Sequence, residues 1–122
     1  MTPLPTTSGT PAPFAELALA FAQALVAEDY DAAQAMLADE LRATLDARTL
    51  GARYQDLIGE GDGPPIDVSV VSTLTQWPER EADDLGWAYV GIAGDDYVEG
   101  ITVVVARQGA TAKIRAIEWG RP

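Results

Sequence analysis

Histidine and cysteine, the side chains that most often carry acid–base, nucleophilic and metal chemistry, are both absent from this sequence. A Ser-His-Asp triad, a Cys-His pair, a disulfide and a thiolate or imidazole metal site therefore cannot be built from it. Proton transfer falls to a carboxylate, a tyrosine or Lys113, the only lysine. Two residues stand out by their setting. Tyr54 lies on the apolar stripe of a helix, where its ring packs and its hydroxyl needs a partner. Glu118 lies near the end of the last strand between Ile117 and Trp119, where partial burial would suit its carboxyl to general acid or base work. A purely structural reading makes Tyr54 a core aromatic and Glu118 an exposed strand residue.

Three tryptophans in 122 residues either line a ligand pocket or anchor an interface. Trp87 and Trp119 are assigned with Tyr54 and Glu118 to a pocket; Trp77 and Tyr89 are assigned to an interface. Acidic groups occur at Asp83-Asp84, at Asp95-Asp96 with Glu99, and at Asp62 in a glycine-rich turn. None has the alternating ligands and closing glutamate of a calcium loop. They read as solvated turn carboxylates, and neither a metal nor a cofactor is expected.

The chain carries 19 acidic and 8 basic residues, a net charge of −11. Such a surface repels phosphate backbones and anionic lipid, which sets nucleic-acid and membrane partners aside. It keeps the protein soluble, and it favours a basic protein as a partner. No apolar run is long enough to span a bilayer and no leader pattern opens the sequence, so a cytoplasmic location is expected.

Elements that could position these residues follow from periodicity. Residues 1–12, rich in Pro, Thr and Ser, read as a disordered arm, and residues 13–120 as one α+β domain. Phe14, Leu17, Phe21 and Leu25 mark one face of a helix over residues 13–28. Asp29 or Asp31 caps a short second helix ending near Ala38, and Asp39 restarts a helical turn. Asp46 caps a third helix with Leu50, Tyr54, Leu57 and Ile58 on its stripe, closed by a left-handed Gly59. Residues 59–65 (GEGDGPP) form a hinge.

Alternation then predicts strands over residues 66–74, 86–93, 97–107 and 111–119, with a charged loop at 78–85 and a hairpin turn at 94–96. Trp87 and Tyr89 fall on one face of the second strand; Ala88, Val90 and Ile92 fall on the other. Helices followed by a meander imply helices packed on one face of an antiparallel sheet. The aromatic second face then calls for cover, which a homodimer packed sheet to sheet, or a second layer from the N-terminal arm, would supply.

The segment ALVAEDYDAAQAMLADELRATL resembles the opening of the nuclear transport factor two-like superfamily, the likeness resting on the acidic-aromatic-acidic turn and alanine-rich helix of residues 28–37. Its continuation, ADELRATLDARTLGARYQDLIGEG, is similar to a branch of small bacterial domains in that superfamily. The resemblance implies a cystatin-like cone, a curved sheet wrapped around helices. It implies either an enzyme such as an isomerase, dehydratase or cyclase, or a non-enzymatic binding or assembly domain. With no histidine, the Asp-His pair of its enzymes is excluded, and no aspartate here aligns with a catalytic position. The expected function is a non-enzymatic, homodimeric domain that binds a protein or a small apolar ligand. The alternatives are an enzyme using one buried carboxylate, Glu118 with Tyr54, and an acidic immunity-type antagonist of a basic protein.

Overall fold

The computed structural model describes residues 13–59, 65–95 and 97–120, which form four helices followed by a four-stranded antiparallel sheet, an α+β arrangement. The arm expected over residues 1–12, most of the hinge and Asp96 at the hairpin tip lie outside the described residues.

Helix α1 (Pro13–Val26) starts on a proline, whose fixed φ suits a first turn, and buries Phe14, Ala18, Phe21, Ala22 and Leu25 along one face. It ends two residues before the expected Glu28. Glu28 takes a left-handed φ of 61° and donates its backbone N–H to the Leu25 carbonyl at 3.0 Å, while the Asp29 N–H reaches the Ala24 carbonyl at 2.9 Å. These are the two bonds of a Schellman motif, with glutamate where glycine is usual. Asp29 then caps α2 (Tyr30–Ala35), its carboxylate accepting from the Ala32 N–H at 3.2 Å.

The restarted turn is a helix of its own, α3 (Asp39–Thr44). Asp46 caps α4 (Ala47–Ile58) by accepting from the Thr49 N–H at 2.8 Å, and Leu50 and Tyr54 are its large buried side chains. Gly59 departs from expectation: its φ of −60° and ψ of −26° are right-handed. Glycine permits a left-handed cap without requiring one.

The strands are β1 (Asp67–Leu74), β2 (Asp84–Ala93), β3 (Val98–Gln108) and β4 (Thr111–Trp119), joined in the spatial order β1-β2-β3-β4. β2 begins two residues earlier than its alternation suggests, because Asp84 pairs with Ala106 across a register shift. Shifts in β1 at Val70/Ser72 and on the β3–β4 pair at Val104/Val105 mark further bulges, which bend strands locally. The segment between α2 and α3 covers part of the β4 edge: the Ala38 N–H donates to the Ile114 carbonyl at 2.7 Å, and the Ile114 N–H to that of Met36 at 2.9 Å.

Cross-strand register sorts the sheet into two faces. One row runs Thr73, Ala88, Val103, Ile117, and the next runs Val70, Val90, Ile101, Trp119. Apart from Thr73, which is exposed, these inner rows pack with Phe14, Phe21, Leu25, Leu50 and Tyr54 in one core. The α1 approach is close. A Cβ on Gly86 would sit 2.3 Å from the Phe14 ring, so only a glycine leaves room for that aromatic. The rows between point away from the helices: Leu74, Trp87, Val104, Ala116, and Ser72, Tyr89, Thr102, Glu118.

Candidate functional site: a groove on the outer sheet face

The two outer rows and the loop between β1 and β2 form a groove of about 370 Å³. Trp77 from the loop and Trp87 from β2 contribute its aromatic walls; Val104 and Thr102 from β3 lie between Trp87 and β4. Arg115 and Glu118 line it from β4, with Glu79 and Glu81 from the loop. Thr102 is only 3% exposed, and its hydroxyl is buried with no hydrogen-bond partner among the described residues. An orphaned hydroxyl in such a setting costs about 1–3 kcal/mol.

The loop that supplies Trp77 is held by two arginines. Asp84, whose side chain is completely buried, receives two parallel hydrogen bonds from Arg115, Nε to Oδ1 at 2.6 Å and Nη2 to Oδ2 at 2.7 Å. The Glu81 backbone N–H adds a third at 2.8 Å, to Oδ2. The Arg115 guanidinium, with the Glu81 N–H and Arg80 adding to it, holds the Asp84 carboxyl below its ordinary range despite burial. Reciprocally, the bond to Asp84 raises the pKa of Arg115. Arg80 donates to the carbonyls of Thr75 at 2.9 Å, Glu81 at 3.3 Å and Asp84 at 2.8 Å, and its guanidinium carbon lies 5.9 Å from the centre of the Trp77 ring.

The residues singled out from sequence separate between the two faces. Trp87 and Glu118 share the groove, and Trp77 joins them from the loop. Tyr89 lies on the same outer face, its ring over Gly100, where a Cβ would sit 2.5 Å from Cε1. Trp119 faces the other way. It lines a separate groove of about 360 Å³ with Leu41, Leu45, Thr49 and Arg53 of the helical layer.

Tyr54 is buried in the core beside Tyr30, their ring centres 6.4 Å apart. Its hydroxyl has no partner among the described residues, and burial pushes its pKa well above the ordinary phenol value. Glu118 is exposed rather than half-buried, because alternation turns it away from the face on which its neighbours Ile117 and Trp119 pack. The sheet therefore lies between Tyr54 and Glu118, and the pair envisaged for proton transfer is not assembled. Asp84, read as half of a solvated turn pair, is instead the buried centre of an ion pair.

Arg115, Arg80 and Thr102 escaped the sequence reading, as did the pairing of Asp84. The available signals were a charge inside an apolar strand pattern, at Arg115, and a lone hydroxyl within the run from Ile101 to Val105. Among the described residues no group of three or more Asp or Glu is placed to hold a metal ion, and no helix is long and apolar enough to cross a membrane. No protein-family model, curated protein or solved structure matches the chain.

Proposed function

We propose that this is a non-catalytic binding domain whose working surface is the outer-face groove between Trp77 and Trp87. The observation that carries the reading is the buried, unpartnered Thr102 hydroxyl in a groove walled by two tryptophans. The helix–sheet interior supports it from the other side, since Phe21, Leu25, Leu50 and Tyr54 pack there against Val90, Ile101 and Val103. The nuclear transport factor two-like type remains part of the reading on the strength of element order and the residues 28–37 phrase. A catalytic cone of that type is not, because Tyr54 and Glu118 stand on opposite sides of the sheet.

Electrostatics favour a different molecule over a second copy as occupant. A sheet-to-sheet homodimer centred on the groove would bring Glu79, Glu81 and Glu118 against their own copies, and like charges at close range oppose association. A screen of neutral, cationic and anionic fragments by two-dimensional amide and indole NMR tests the reading. Shifts gathered at Trp77, Trp87, Thr102 and Val104 are the expected result. Shifts gathered instead at Leu25, Leu50 and Tyr54 would place binding in the interior and overturn it.

A further inference from the structure

We infer that the group received by this groove is an arginine or lysine side chain, carried on an extended segment of a basic partner protein; the inference rests on the outer face being the binding surface. Three carboxylates, Glu79, Glu81 and Glu118, line the groove together with cationic Arg115, so the lining is acidic in balance. Glu79 and Glu118 form no ion pair among the described residues, and Glu81 reaches Arg115 only at 3.6 Å. Arg115 is matched by Asp84, which leaves Arg80, bonded to three backbone carbonyls and still charged, as the one local cation among the described residues against three glutamates.

The chemistry of the walls narrows the ligand further. Trp77 already faces the Arg80 guanidinium, so the indole offered to a ligand is that of Trp87, whose face attracts a cation through its quadrupole and packs against the methylenes that carry it. The Thr102 oxygen can accept from an N–H donor, and Glu118 stands beside Thr102 in the same cross-strand row, so one arriving donor group meets both. A neutral head would leave the carboxylates unpaired, and an anionic one would also meet their repulsion.

A protein segment fits better than a free amine because the apolar surface continues beyond the groove. Leu74 pairs with Trp87 across the strands and is 42% exposed; Val71 lies near Gly91 on the same face and is 60% exposed. Apolar residues following the basic one in an extended segment would cover this stripe, which a small amine leaves wet. The net charge of −11 would also raise the encounter rate with a basic protein at low salt.

The test uses three probes on the full chain, read at the Trp77 and Trp87 indole signals. They are a capped pentapeptide Ala-Arg-Leu-Val-Ala, the same peptide with citrulline for arginine, and butylguanidine. The arginine peptide should bind about tenfold tighter than its citrulline counterpart at low salt, with the gap narrowing as salt screens the carboxylates. Glu118→Gln and Thr102→Val should each weaken the arginine peptide by roughly threefold or more while leaving the fold intact. Equal binding of both peptides in the groove would overturn the cation and leave the groove standing. Butylguanidine binding as tightly as the arginine peptide would overturn the protein segment as the source. No shift at either indole with any probe or fragment would overturn the binding surface itself.

Discussion

Replacing Asp84 should destabilise this domain more than any surface carboxylate would. The carboxylate is fully buried, receives both arms of the Arg115 guanidinium at 2.6 and 2.7 Å, and takes a backbone N–H besides. Removing one partner of a buried pair typically costs about 3–5 kcal/mol, because the other charge is left unpaired. Arg115 is 26% exposed and keeps Glu81 at 3.6 Å as a fallback, which places Asp84→Ala near the low end, about 3 kcal/mol. Asp84→Asn keeps the shape and one acceptor but loses the charge, about 2 kcal/mol. Urea unfolding at neutral pH, followed by circular dichroism with the slope checked for constancy, measures both. Joint replacement by apolar residues, Asp84→Leu with Arg115→Met, should recover most of the loss, since no charge is then stranded.

The same pair fixes an acid limb. The carboxyl pKa is lowered in the fold, so its contribution is complete above the unfolded value of about 4 and is lost as pH falls through the folded value. Wild-type stability should drop below about pH 4 more steeply than that of Asp84→Asn. A loss of less than about 0.5 kcal/mol for Asp84→Ala, or a double variant that loses the sum of both singles, would refute the reasoning.

Two further changes follow from strained or orphaned groups. Tyr54→Phe keeps the ring and removes a buried hydroxyl with no partner, so it should stabilise by about 1 kcal/mol in urea unfolding at pH 7. Because burial raises the Tyr54 pKa, its neutral form is favoured in the fold. That contribution is complete below about pH 10 and is lost as pH rises beyond it, so Tyr54→Phe should also soften the alkaline limb. Glu28→Gly relieves a side chain held at a φ of 61° and should raise stability by roughly 1 kcal/mol, about 4 °C in a thermal melt. An unchanged melting temperature would mean that the glutamate is not strained there.

Much of the architecture was legible because it rests on short-range patterns. The spacing of Phe14, Phe21 and Leu25 reads as a helical face, and Asp46 reads as a cap because its carboxylate has an N–H to accept from three residues on. Strand alternation also sorted Trp87 and Tyr89 from Ala88, Val90 and Ile92, as the register has them. What pattern could not supply was the relation between strands. Trp87 and Trp119 look equivalent as aromatics near strand ends, yet register places one opposite Val104 on the outer face and the other opposite Ile101 on the inner face. Register depends on bulges, and the shift at Val104/Val105 lets both Ile114 and Ile117 pack toward the core.

The groove was illegible for the same reason. Asp84 and Arg115 are 31 residues apart, and nothing local to either announces the other. An isolated buried carboxylate is costly enough that a sequence reader assigns the residue to solvent by default. Only the meander, by setting β4 two strands from β2, brings a guanidinium to it. That single long-range pairing also anchors the loop bearing Trp77, through the Glu81 N–H and the Arg80 bond to the Asp84 carbonyl. Loss of the Asp84–Arg115 pair should therefore loosen one wall of the groove while Thr102 and Val104, set within β3, stay in place. The binding surface and the buried ion pair are thus one construction, with the charge that organises it placed where no local pattern reveals it.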